Sequence, residues 1–138
     1  MSWGDPLNGK RIAVVEDDEV TKLDVEDALR TAGATIAKNH MELVDAAVLD
    51  LRLRYGATAV PIAIALHQRG VPFVFYTGCT PEEQATLREQ FGQCTILQKP
   101  ASSAALVEAV TNVLHPDALP PSAALKHDST WRRLSRRF

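Results

Sequence analysis

Four chemically capable groups stand apart along the 138-residue chain: the acidic triplet Glu16-Asp17-Asp18, Asp50 at 33 positions beyond Asp17, Thr77 before Gly78, and Lys99 before Pro100. Together they are the parts of a site that accepts a phosphoryl group. A carboxylate can take phosphoryl from a donor when a divalent cation and a fixed positive charge neutralise the equatorial oxygens during in-line transfer. In that scheme Asp50 is the nucleophile and Lys99 the charge partner of the attached group. Thr77 offers a hydroxyl to a phosphoryl oxygen, and Gly78, lacking a side chain, leaves the approach open. Glu16, Asp17 and Asp50, with the backbone carbonyl of Arg52, are expected to hold Mg²⁺, which favours a few carboxylates and several waters. Taken singly, each feature has a plainer reading. An acidic triplet suits any helix N-terminus, and a lone aspartate, a threonine or a Lys-Pro pair is ordinary loop material.

What lifts the combination is its placement. Each group follows a short apolar run: Ile12-Ala13-Val14-Val15, Ala46-Ala47-Val48-Leu49, the run from Val71 to Phe75, and Thr95-Ile96-Leu97. Runs of that length, separated by helix-like stretches, suit buried strands of a parallel sheet, whose carboxyl ends converge on one crevice. The acidic cluster opens an amphipathic helix with Val20, Leu23, Val25, Ala28 and Leu29 as its apolar positions and Gly33 as its stop. Residues 35–38 suit a short second strand. A helix over residues 58–68, with Pro61 near its start, is expected to pack through Ile62, Ile64, Ala65 and Leu66. Thr80-Pro81-Glu82-Glu83 has the form of a capping box for a helix ending near Phe91. Ser102 or Ser103 can cap a last helix whose Leu106, Val107, Val110 and Leu114 face the core, stopped by His115-Pro116.

Alternating strand and helix patterns in a chain that is 46% hydrophobic predict one α/β domain. The expected division is a loose N-terminal extension over residues 1–9, the domain over residues 10–115, and a proline-containing basic tail over residues 116–138. Residues 1–115 carry 10 Lys/Arg against 15 Asp/Glu, and residues 116–138 carry 5 against 2, so an acidic body bears a basic tail. Cys79 and Cys94 have neither disulfide-framework nor metal-ligand spacing, and no segment has the apolar length of a signal sequence or membrane span. A soluble, cytoplasmic protein is expected, with no membrane partner. The arginine-rich end lacks a nucleic-acid-binding fold, so nucleic acid is not expected either.

The order Glu16-Asp17, Asp50, Thr77-Gly78, Lys99-Pro100 resembles the receiver domain of bacterial response regulators over roughly residues 10–115. The run Pro72-Phe73-Val74-Phe75-Tyr76-Thr77-Gly78-Cys79 resembles the PFxFATG[G/Y] motif of a group of single-domain receivers, with Tyr76 in place of alanine and Cys79 in place of the final glycine or tyrosine. The resemblance implies a doubly wound, flavodoxin-like parallel sheet of five strands in the order 2-1-3-4-5. It also implies a sensor histidine kinase or histidine phosphotransfer protein as phosphodonor. Two departures bear on signalling. Receivers commonly carry an aromatic residue three positions before the lysine, where this chain has Ile96; Tyr76 is expected to pack under a helix rather than replace it. The connector over residues 39–45 is far shorter than a parallel crossover normally needs, so the second helix must be shortened or missing. Neighbouring helices, or a second copy in a homodimer, would then have to cover the sheet.

The resulting expectation is a stand-alone, Mg²⁺-dependent phosphoacceptor in a phosphorelay, acting by protein contact or as a phosphate sink. It is not read as an enzyme, because no general base or substrate pocket for small molecules is evident beside the acidic cluster. The alternative from another class is a receiver-like interaction module that works without phosphorylation.

Overall fold

The computed structural model describes residues 5–116. Strands and helices alternate in chain order: β1 (Arg11–Val15), α1 (Glu19–Thr31), β2 (Thr35–Ile36), β3 (Ala46–Leu49), α2 (Val60–Gln68), β4 (Phe73–Thr77), α3 (Pro81–Phe91), β5 (Thr95–Gln98) and α4 (Ser103–Leu114). The strands form one five-stranded sheet in the order β2-β1-β3-β4-β5, and every pairing is parallel. This is the doubly wound arrangement that the resemblance to receivers implies.

Strand residues alternate strictly between two apolar layers, as the two-residue period of a pleated strand requires. Ile12, Ala46, Val48, Val74 and Tyr76 lie in one layer with Val25 and Leu29 of α1 and Leu106 and Val110 of α4. Ala13, Ala47, Leu49, Phe73 and Phe75 lie in the other, with Ala63 and Leu66 of α2 and Leu87 and Phe91 of α3. Each fully buried large aliphatic side chain contributes roughly 1.5–3 kcal/mol. The start of the domain is firmer than its polar sequence suggests: Leu7 is fully buried in the first layer, and its amide donates to the Ala32 carbonyl at 2.9 Å.

Two helix faces differ from expectation. In α1 only Val25, Ala28 and Leu29 are buried, while Val20 and Leu23 are 70% and 55% exposed. In α2 Leu66 is buried and Ile62 and Ile64 pack partly buried against the second layer as expected, whereas Ala65 is exposed and Ala63 is buried instead. The caps follow the sequence closely. Thr80 and Glu83 form a reciprocal capping box on α3, and Ser102 accepts from the Ala105 amide to cap α4.

The second helix is missing: between β2 and β3 lie only turns and bends. Its place is closed locally. The sheet floor there is built from Ala13, Ala37 and Ala47, and phenylalanines appear only further across, on β4 under α2 and α3. Small side chains let the connector sit low. Its backbone is pinned by the Arg69 guanidinium, which donates to the carbonyls of His40 and Glu42 at 3.0 Å each. Glu42 pairs with Arg11 and accepts from the Asn39 amide at 3.1 Å. Val44 turns inward, whereas Met41 and Leu43 stay exposed.

Candidate functional site

The groups picked out by the sequence stand immediately after strand ends. β1 stops at Val15 before Glu16, β3 at Leu49 before Asp50, and β5 at Gln98 before Lys99. β3 and β5 are not neighbours; β4 runs between them. A long side chain is therefore required on β5, and lysine supplies it. The Lys99 ammonium donates to Glu16 Oε1 at 2.5 Å and to Asp50 Oδ2 at 3.1 Å, passing 5.6 Å from the centre of the Tyr76 ring. Thr77, the last residue of β4, is only 1% exposed, and its hydroxyl is among the groups that stabilise the Asp50 carboxylate. Asp50, Thr77 and Lys99 are thus brought together as expected, with Glu16 joining them.

The other acidic residues divide the labour. Asp17 lines the crevice and accepts from the Arg54 amide at 2.5 Å. Asp18, also in the crevice wall, caps α1, accepting from the Thr21 amide at 3.0 Å and the Thr21 hydroxyl at 2.6 Å. The triplet is both a helix N-terminus and a wall of the site.

Electrostatics separate the two central carboxyls. Burial pushes Glu16 above the ordinary glutamate range and the nearby Asp50 carboxylate adds to the rise, outweighing the hydrogen bond from Lys99. Burial also acts upward on Asp50, but hydrogen bonds from Glu16, Thr77 and Lys99 more than offset it and hold its carboxyl low. Burial disfavours the Lys99 ammonium, yet Glu16 and Asp50 keep it above its ordinary value. Of the two carboxyls, Asp50 is thus the one whose charged form the site favours more strongly.

Glu16, Asp17, Asp50, Arg52 and Lys99 line a crevice of about 440 Å³. Its oxygen donors are hard carboxylates, few in number, with space beside them for water. Hard carboxylates suit Mg²⁺, and Glu16, Asp17, Asp50 and the backbone carbonyl of Arg52 are the groups that could hold it, although among the described residues no three acidic side chains stand grouped as a metal site and the Lys99 ammonium lies between Glu16 and Asp50.

Three groups at the site escaped the sequence. The Arg52 side chain leaves the crevice, donates to the Gly78 carbonyl at 2.9 Å and pairs with Glu83 of the α3 capping box. Gln98 clasps the same loop from the other side, accepting from the Cys79 amide at 3.3 Å and donating to its carbonyl at 3.0 Å. Tyr76 packs in the layer beneath α1 and α4, as expected, and its hydroxyl also accepts from the Ala101 amide at 3.2 Å. Partners 19 to 31 positions away leave no local pattern to find.

A parallel sheet wound in this order, with a carboxylate, a threonine and a lysine at its carboxyl edge, defines the receiver fold. Known structures agree. A response regulator receiver protein from Sinorhizobium medicae WSM419 is similar at 24% identity and TM-score 0.65, covering 76% of this chain and 94% of its own. SdrG from Sphingomonas melonis Fr1 is similar at 29% identity and TM-score 0.60, covering 79% and 98%. The receiver domain of the sensor histidine kinase PA1611 from Pseudomonas aeruginosa PAO1, with a magnesium ion coordinated in its active-site cleft, is similar at 22% identity and TM-score 0.62, covering 77% and 98%. No family model and no curated protein matches the chain. The chain folds as a receiver domain. Among the described residues no helix is long and apolar enough to cross a membrane.

Proposed function

We propose that this receiver is a phosphoacceptor in response-regulator signalling, with Asp50 as the acceptor. The observation that supports it best is the Lys99 ammonium held between Glu16 and Asp50 at the mouth of the crevice. In the proposed step an Asp50 oxygen attacks the donor phosphorus, an acyl phosphate bond forms, and the bond from phosphorus to the leaving group breaks, its electron pair departing with that group. A phosphohistidine of a sensor kinase or phosphotransfer protein is the donor class that the receiver fold suggests. When bound, Mg²⁺ supplies positive charge against the phosphoryl oxygens; Glu16, Asp17, Asp50 and the Arg52 carbonyl are the groups that would hold it. Lys99 then exchanges one carboxylate oxygen for a phosphoryl oxygen, and the Thr77 hydroxyl turns from Asp50 to the attached group. Gly78 is exposed, and a Cβ there would meet nothing within 4 Å, which suits donor access. The chain acts as an acceptor in this scheme rather than as a turnover enzyme.

Incubation with acetyl phosphate and Mg²⁺, read by intact mass, should add one phosphoryl group, and Asp50→Asn should abolish the addition. Labelling retained in the Asn variant would move the acceptor elsewhere. No labelling of the wild type would favour the phosphorylation-independent interaction module.

A further inference from the structure

Beside the crevice, a channel of about 1000 Å³ runs between α1 and α4 among the described residues. Its floor is apolar, with Val25 and Ala28 from α1 and Val107 from α4. Its rims are acidic: Asp24 and Asp27 on one side, Glu108 on the other, and Asp5 at the base. Asp27 is shared with Arg30 at 3.6 Å. No ion pair engages Asp5, Asp24 or Glu108 among the described residues. The one cation in the lining, Lys99, is already committed to Glu16 and Asp50. An apolar floor between acidic rims calls for an apolar stripe flanked by positive charge.

The chain carries such a segment. Trp131, Leu134 and Phe138 recur at the three- and seven-residue spacings that share one face of a helix, with Arg132, Arg133, Arg136 and Arg137 between them. Apolar anchors at that spacing are what a helix presents to a hydrophobic groove. Arginine pairs well with carboxylates, and its stem can cover apolar surface. Reach is ample. α4 ends at Leu114, beside the end of the groove lined by Thr111 and Asn112. The 16 residues from 115 to 130 can extend to roughly 50 Å at about 3.3 Å each. The groove follows α4 from Ser103 to Asn112, roughly 14 Å at about 1.5 Å per residue.

We infer that the segment Trp131 to Phe138 docks in the α1/α4 groove of its own chain, its aromatics on the Val25, Ala28 and Val107 floor and its arginines on the acidic rims. The groove's other end reaches Tyr76, Lys99 and Pro100. The inference is independent of phosphoryl transfer, so Asp50→Asn should leave the docking intact.

The test uses the full chain. Amide NMR spectra of wild type, Trp131→Ala and the charge-reversed Arg132→Glu/Arg133→Glu/Arg136→Glu/Arg137→Glu variant should differ at groove residues of α1 and α4 and stay superimposable in α2 and α3. In a Trp3→Phe background, Trp131 emission should be blue-shifted, and the shift should be lost in Asp24→Lys/Glu108→Lys. Raising salt to 1 M, where the screening length falls to about 3 Å, should weaken it. The differences should be the same across a dilution series. Groove resonances that do not move between wild type and Trp131→Ala would overturn the proposal. So would effects that grow with concentration, which would make the occupant a second copy, or that arise only on adding anionic lipid vesicles.

Discussion

The Tyr76 hydroxyl, hydrogen-bonded to the Ala101 amide beneath Lys99, shows how a single atom steadies the loop that delivers the site's cation. Tyr76→Phe keeps the ring in its layer and leaves that amide without its partner, at a cost of about 1 kcal/mol. A matching fall in the urea midpoint is expected, with faster amide exchange at Ala101; an unchanged midpoint and exchange rate would count against it. At this scale the sequence was informative where chemistry is local. Glu16, Asp50, Thr77 and Lys99 could be named because each stands at or just past a strand end, and the acidic triplet could be read as a helix N-terminus because negative charge suits that end. Arg52 could be placed at the crevice, but its side chain's grip on Gly78 and Glu83 depends on how β3 and β4 lie together, which no spacing in the chain announces.

Elements come next, and the shortened connector is the instructive one. Glu42 anchors it, and the Arg11 guanidinium, helped by the Asn39 and Lys38 amides, holds its carboxyl below the usual value of 4.5 against the opposing effect of burial. Because the folded value lies below the unfolded one, this contribution is present in full above pH 4.5 and is lost as pH falls through the lowered folded value. The stability gap between wild type and Glu42→Gln should therefore narrow on acidification, read as converging urea midpoints; a gap constant with pH would exclude this anchor. A second expectation concerns α3. Arg52→Ala removes the tie from the crevice to Gly78 and Glu83, so amide exchange over residues 80–83 should accelerate. Chemical-shift changes on adding Mg²⁺ and beryllofluoride, which in wild type should run from Thr77 into α3 and around Lys99, should stop short of α3 in the variant. Strand positions and caps were readable because they obey two-residue alternation and reciprocal side-chain capping. The faces of α1 and α2 were not, since Val20, Leu23 and Ala65 are apolar residues left outside by helices whose neighbours decide which side is inward.

For the whole molecule, layering followed from the alternation of elements and strand order from the resemblance to receivers, while the manner of closing a sheet with one helix fewer followed from neither, because it lies in side-chain volume rather than in periodicity. Ala13, Ala37 and Ala47 set how closely chain can approach the sheet between β2 and β3. That half of the molecule should consequently tolerate changes of length and resist changes of bulk. Lengthening the exposed stretch around Met41 and Leu43 by a few glycines and serines should cost well under about 1 kcal/mol, since doubling a flexible loop adds only about 0.6 kcal/mol of closure entropy. Adding two methyl groups at the fully buried Ala13, as in Ala13→Val, should cost about 1–3 kcal/mol through overpacking. Thermal denaturation of the two variants side by side decides between them: a large loss on insertion with none at Ala13 would mean that the connector, not the thinness of the floor beneath it, holds the layers at their spacing.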